Sequence, residues 1–253
     1  MSADGRFTGR TLVCTGGGSG IGAAVARRYV ADGGNVAIFD INQETAQATA
    51  DGLSNAIAFG VDVSSEASVA TAIQGTIAAF GRIDGVYNGA AILLAETVMD
   101  APLASFERQF AVNIIGTLNV CRAAATALQS SGVGSIVNTS SVVVDVARAK
   151  RGLYAATKGA IPPLTRHLAL ELSPRIRVNA VSPGPTITAM TRRHYEAMGD
   201  TLDEGLRAVG SKVLLKRVAA PEELAAAICF LLSDDASYVT GTVLTVDGGM
   251  TAE

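Results

Sequence analysis

Tyr154 and Lys158 stand four residues apart in Tyr154-Ala155-Ala156-Thr157-Lys158. On a helix that spacing places a phenol and an ammonium on one face. A free tyrosine, with a pKa of about 10, is a poor base at neutral pH, but a nearby cation favours the phenolate and draws that value down. A phenol tuned in this way can exchange a proton with a hydroxyl group. By itself the pair is a weak signal, because Tyr and Lys meet at this spacing in many helices as a solvated couple.

A second chemical signal lies near the start. Thr15-Gly16-Gly17-Gly18-Ser19-Gly20-Ile21-Gly22 joins an apolar run to a helical one. Glycines there let an anionic group approach bare backbone, where peptide N–H groups and the positive end of a helix dipole stabilise it without Lys or Arg. Gly16, Gly18, Ser19, Gly20 and Gly22 are the candidate pyrophosphate contacts. Similar turns also hold flavin or S-adenosylmethionine. Asp40 then follows at about the twenty-residue interval expected of a carboxylate that binds the adenosine ribose. Its charge repels a 2′-phosphate, and neither Gly17 nor the adjacent Ile41 offers a compensating cation, so NAD is favoured over NADP. The alternative is that Asp40 only caps the helix starting near Asn42.

The elements that must position these groups are legible as short β-branched runs alternating with Ala-rich helical stretches. Strands are expected at 10–15, 35–40, 56–60, 83–87, 135–140, 177–181 and 243–246. The βαβ rhythm predicts an α/β protein of Rossmann type: a doubly wound, seven-stranded, mainly parallel sheet with helices on both faces, in one domain over 1–253. The long connection from Pro183 to about Lys216 carries Met190, Tyr195, Met198, Leu202, Leu206 and Val209, which suits short helices forming a substrate lid over about 184–216. Pro162-Pro163, one turn beyond Lys158, removes two backbone donors and predicts a kink or break in the Tyr154 helix.

Composition narrows the function further. The 253 residues are 49% hydrophobic and carry 17% charged side chains with a net charge of −3. There is no basic face for a phosphate backbone, and at 5% aromatic residues there is little to stack on bases, so nucleic acid is not an expected partner. The N-terminus lacks the apolar run of a signal peptide, and no uninterrupted apolar stretch approaches the ~20 residues of a membrane span. A cytoplasmic location without membrane association is expected. Cys14, Cys121 and Cys229 lie in apolar sequence without CxxC spacing and read as buried thiols. His167 and His194 stand apart from other ligands, so no metal is expected.

The combination is far more specific than its parts. With TGGGSGIG, an acid ending the second strand, Ser140-Ser141, and YxxxK, the chain resembles the short-chain dehydrogenase/reductase family over essentially its whole length. Further matching segments are Asp62-Val63, Asn88-Gly89-Ala90, Asn113-Ile114-Ile115-Gly116, 177–184 and 240–249. The resemblance implies a catalytic tetrad of Asn113, Ser141, Tyr154 and Lys158. Ser141, thirteen residues before Tyr154, would bond the substrate oxygen, with Ser140 as the fallback. Tyr154 would move the proton, Lys158 would hold the nicotinamide ribose and lower the tyrosine pKa, and Asn113 would hold a water beside Lys158. It also implies a pyrophosphate contact through the Ile21 N–H and adenine contacts at Asp62 and Val63, with Ile41 beside Asp40. Asn88 and Gly89 would pass under the ribose, and Pro183, Gly184, Thr186 and Thr188 would border the nicotinamide. A homotetramer is implied, with contacts through helices at 102–128 and 153–172 and the C-terminal strand region; a dimer is the alternative.

Two departures stand out: Tyr87-Asn88-Gly89-Ala90 where the family commonly has Asn-Asn-Ala-Gly, and the Pro162-Pro163 pair. Leu93, Leu94 and Val142 to Val144 are candidate walls of a small-molecule site. Arg148, Lys150, Arg151, Arg192, Arg193 and His194 could meet an anionic group or simply be solvated. The leading expectation is an NAD-dependent oxidoreductase interconverting a secondary alcohol, such as a sugar, polyol or steroid hydroxyl, with its ketone. The alternatives are an NADPH-dependent 3-oxoacyl thioester reductase and a silent dinucleotide sensor.

Overall fold

The computed structural model describes residues 5–132, 134–198 and 201–252, with the side chains of Arg193, His194, Tyr195, Ala197 and Met198 also outside the described set. The lid expectations for Arg193, His194, Tyr195, Met198 and residues 199–200 therefore fall outside the described residues. Seven strands form one sheet in the order β3-β2-β1-β4-β5-β6-β7. They are β1 (Thr11–Thr15), β2 (Asn35–Asp40), β3 (Ala56–Gly60), β4 (Gly85–Asn88), β5 (Gly134–Thr139), β6 (Ile176–Pro183) and β7 (Val243–Val246). Every pairing is parallel, so the sheet is wholly rather than mainly parallel. Parallel strands buried on both faces need continuous apolar runs, and Leu12-Val13-Cys14 and Val36 to Phe39 are fully buried in this way.

The helices are α1 (Gly20–Ala31), α2 (Gln43–Asp51), α3 (Glu66–Phe80), α4 (Leu103–Phe110), α5 (Gly116–Ser131), α6 (Gly152–Gly159), α7 (Ile161–Leu172), α8 (Ala189–Met198), α9 (Leu202–Gly210) and α10 (Pro221–Leu232). Side chains of α1, α2 and α10 pack with Leu12, Cys14 and Val36 in one core. Those of α3, α5 and α7 pack with Val13, Phe39 and Ile136 in the other. Strand order turns about β1 and β4, and at such a switch point the strand ends diverge and leave a crevice. Thr15 and Asn88 end the two strands there.

Leu103–Ser131, a run of 29 residues, is long and apolar enough on average to cross a membrane. Half of that apolar stretch is buried inside the protein, where α5 contributes Val120, Ala124 and Leu128 to the core, so it serves as an interior helix. Where α4 passes into α5 the helix loosens into a π turn over Ala111–Ile115, which contains Asn113. The three cysteines are buried thiols, and burial pushes Cys121 up to about 12.

Candidate active site

The glycine turn is shaped by close packing. Gly16 and Gly20 have φ of 66° and 52°, a region that glycine enters without a Cβ penalty. A Cβ at Gly22 would lie 2.2 Å from the Gly16 carbonyl oxygen, and one at Gly18 would lie 2.5 Å from Thr45 Oγ1. Ser19 precedes α1 without a side-chain cap, which leaves the first N–H groups of that helix for an anion. Asp40, half-buried, accepts from Gly18 N at 3.0 Å and from Asn42 N at 3.1 Å. Asn42 is the cap of α2, receiving Glu44 N at 2.9 Å and Thr45 N at 3.1 Å, so capping does not account for Asp40.

From Asp40 a cavity of about 1150 Å³ runs across the switch point to Tyr154. Gly16, Ser19, Ile21, Gly22, Ile41, Asp62, Val63, Gly89, Pro183, Gly184, Thr186 and Thr188 all line it. Gly18 and Gly20 stand behind these, shaping the turn; a Cβ on Gly20 would come within 3.1 Å of the Thr188 methyl. Residues from both α8 and α9, among them Met190 and Val209, form one wall. Leu93, Val142 and Val143 form another, whereas Val144 is exposed. Asn88 does not face this space. Its side chain is buried and donates to Asn138 Oδ1 at 2.9 Å, so Gly89 and the backbone make up that part of the wall.

Tyr87 explains the altered motif around Asn88. Its ring is buried, its hydroxyl accepts from Thr139 Oγ1 at 3.2 Å, and a Cβ on residue 89 would sit 2.5 Å from the ring. Tyr at 87 and Gly at 89 are thus a matched pair. Thr15 Oγ1 accepts from Gly89 N and Ala90 N, both at 3.1 Å, and so fixes the loop leaving β4.

At the chemical end, α6 carries Tyr154 and Lys158 on one face, with the Lys158 Nζ 5.8 Å from the Tyr154 ring centroid. Lys158 is buried and donates to the Thr139 carbonyl at 2.8 Å. Ser141, the cap of a short turn after β5, shares a hydrogen bond with Tyr154. Ser140 is instead turned to the Lys158 carbonyl, donating at 3.1 Å. That carbonyl is the one whose helical partner would be the missing N–H of Pro162. The helix breaks as expected: α6 ends at Gly159, and α7 begins at Ile161 with the prolines in its first turn, where no N–H is required.

The charges differ from the sequence expectation. Burial pushes Tyr154 up to about 12, while the nearby Arg151 charge and the Ser141 hydrogen bond act in the lowering direction. Burial also brings Lys158 down to about 8. Desolvation therefore sets the phenol's value, and Lys158 is not among the charges that lower it. Asn113 is buried inside the π turn and its carboxamide engages Ile92 N at 2.9 Å, Ile92 O at 3.1 Å and Thr157 Oγ1 at 2.9 Å. Its recorded partners do not include Lys158. It anchors the same turn of α6 through Thr157, which in turn donates to Tyr154 O at 2.8 Å.

Residues 16–251 match the family model described as Enoyl-(Acyl carrier protein) reductase. The chain is 38% identical to 2-(S)-hydroxypropyl-CoM dehydrogenase 3 of Xanthobacter autotrophicus, covering 98% of both proteins. It is 40% identical to 2,5-dichloro-2,5-cyclohexadiene-1,4-diol dehydrogenase of Sphingobium indicum, over 97% of this chain and 98% of the relative. A crystal structure of levodione reductase superposes with a TM-score of 0.93 at 33% identity, covering 98% of this chain and 99% of the other.

The chain belongs to the short-chain dehydrogenase/reductase family.

Short-chain dehydrogenases/reductases take NAD(H) or NADP(H), and the residues present fit such a dinucleotide: the glycine turn admits no Cβ at Gly18 or Gly22, and the N-terminus of α1 carries no side-chain cap. Sequence reasoning missed Thr15, Tyr87 and Thr139 as supports of this short-chain dehydrogenase/reductase site. Thr15 at the head of the glycine turn could have been suspected. Thr139 acts through its carbonyl, for which no side-chain signal exists.

Proposed function

We propose that this enzyme interconverts a secondary alcohol and its ketone with NAD rather than NADP, using Tyr154 as acid and base. The observation that carries the reading is one cavity with Asp40 at one end and Ser141, Tyr154 and Lys158 at the other. The named relatives are dehydrogenases of a hydroxypropyl compound and of a diol, together with a reductase. The nicotinamide, when bound, supplies the site that accepts or gives hydride. Ser141 and Tyr154 would both meet the substrate oxygen, Ser141 orienting it and Tyr154 taking its proton in oxidation or giving one in reduction. Lys158, tied to Thr139 O, presents its charge to the phenol and the nicotinamide ribose, and Asn113 holds the α6 turn on which both stand.

Asp62 and Val63 would flank the adenine beside Ile41, Gly89 would pass under the ribose, and Pro183, Gly184, Thr186 and Thr188 would border the nicotinamide. Residues of α8 and α9 would close as a lid. The proton step has a pH signature. With the phenol at about 12, oxidation, which needs the phenolate, should quicken as pH rises through the alkaline range, while reduction should not. A panel of secondary alcohols, polyols, hydroxy acids and hydroxysteroids assayed with NAD and NADP tests this. Turnover with NAD that vanishes in Tyr154→Phe is the expected result; turnover that survives this substitution refutes the role of Tyr154, and a preference for NADP refutes that of Asp40.

A further inference from the structure

We infer that the substrate carries, besides its hydroxyl or keto group, an anionic group such as a carboxylate or sulfonate, bound by Arg148 and Lys212 across an apolar floor made by Val142, Val209 and Met250; this rests on the alcohol–ketone reading above.

The protein is acidic overall, with a net charge of −3. Its cavity is nevertheless divided: Asp40 and Asp62 line the dinucleotide end, whereas Arg148, Arg151 and Lys212 line the other. One carboxylate, Glu204, also lines the space near α9, but it is committed to Thr201, accepting its N–H at 3.0 Å and its hydroxyl in a capping box. It forms no ion pair with Arg148 or Lys212.

Arg148 is the sharper observation. Its guanidinium is half-buried beside the cavity, and its recorded hydrogen bond runs from Nη2 to the Met250 sulfur at 3.4 Å. A thioether is a weak acceptor, whereas a guanidinium presents a planar fork suited to two oxygens of a carboxylate or sulfonate. Among the described residues no carboxylate forms a salt bridge with Arg148. Met250 in turn packs with Val142, Val209 and Val213, which draws the loop after β5, the end of α9 and the C-terminal segment into one apolar cluster. Lys212 adjoins Val213 on that cluster, and Val142 adjoins Ser141. The cations therefore line the same cavity as Ser141 and Tyr154, with the apolar side chains of Val142 and Met250 on its wall. Arg151 adds its field to the same region, since its charge reaches Tyr154. A substrate with an apolar spacer between carbinol and anion would satisfy each part.

The test uses the full-length enzyme with NADH or NAD present and three hydroxy acids of increasing length, 3-hydroxybutyrate, 4-hydroxypentanoate and 5-hydroxyhexanoate, each beside its neutral carboxamide, plus 2-hydroxypropanesulfonate. Two readouts are taken: the ratio of kcat/KM for acid over amide, and the Kd of each probe by calorimetry. In the wild type at least one anion should be preferred over its neutral counterpart by about 10- to 100-fold, the effect of one charge-assisted pair. In Arg148→Met and Lys212→Met that preference should fall, carried by KM and Kd rather than kcat. The ratio compares two probes on one protein, so a partly misfolded variant does not distort it. Carboxylate and sulfonate arms tell the two chemistries apart. Turnover of amides at least equal to that of acids overturns the inference and leaves the alcohol–ketone reading standing. Tight binding of an anion that weakens in Arg148→Met, without turnover of any probe, supports the subsite while counting against that reading. No measurable binding of any anion, or binding unchanged in both variants, overturns the subsite.

Discussion

Individual side chains in this site trade stability for chemistry. Burial works against the charge of Lys158, bringing its pKa from 10.5 to about 8. A depressed lysine means that the unfolded chain binds more protons than the folded one between about pH 8 and 10.5, so stability rises with pH across that window and the full penalty is felt below it. Lys158→Met should therefore remove activity yet raise stability at pH 7, by on the order of 1 kcal/mol once the lost bond to Thr139 is allowed for. Its advantage should shrink toward pH 10, as urea unfolding at the two pH values would show. Gly89→Ala should act oppositely. Its Cβ would strike the Tyr87 ring at 2.5 Å and Thr15 O at 2.8 Å. Overpacking of this kind costs about 1–3 kcal/mol, and pairing the change with Tyr87→Asn should recover part of that loss in thermal unfolding.

At the level of elements, the break between α6 and α7 shows how the chain accommodates a proline pair beside its catalytic lysine. The Lys158 carbonyl, orphaned by Pro162, is met by the Ser140 hydroxyl at 3.1 Å. Ser140→Ala should leave a buried carbonyl unsatisfied and cost about 1–3 kcal/mol. Pro162→Ala restores an N–H within reach, so the cost of Ser140→Ala should fall markedly in that background. A double-mutant cycle by urea denaturation measures this coupling, and simple additivity would show that the hydroxyl and the proline act independently. The π turn at Ala111–Ile115 plays a related part, lifting Asn113 out of regular helical register so that its carboxamide reaches Ile92 and Thr157.

Over the whole molecule, polar side chains tie distant segments together. Arg177, at the start of β6, donates to Leu231 O at 2.9 Å, Val239 O at 3.3 Å and Ser233 O at 2.9 Å, linking β6 to the end of α10 and to the approach to β7. Lysine cannot reproduce that fork. Arg177→Lys should lower stability by roughly 2 kcal/mol, with a visible drop in midpoint temperature and little change in KM for a substrate bound elsewhere. Met99, Leu103 and Leu170 are apolar and exposed near the helices from which a tetramer is expected. We propose assembly through these helices. Sedimentation of Leu103→Glu and Leu170→Glu should show smaller species than the wild type, and unchanged mass would refute that assembly surface.

The amino-acid sequence alone determined the strand runs at Asn35–Asp40, Ala56–Gly60 and Val243–Val246, the glycine turn and the face shared by Tyr154 and Lys158, because periodicity and bare backbone are properties of neighbouring residues. It also located the helix break, since a proline's missing donor is a local fact. Ser140 and Ser141 could not be separated in that way. Only their opposite directions in the folded chain, one toward the Lys158 carbonyl and the other toward Tyr154, assign them different tasks. The inward turn of Asn88, the pairing of Tyr87 with Gly89 and the anchoring of Lys158 by a carbonyl likewise depended on what strands β4 and β5 bring together. So did the balance of pKa values, because desolvation is set by every atom that excludes water from the site, and no spacing rule counts those atoms.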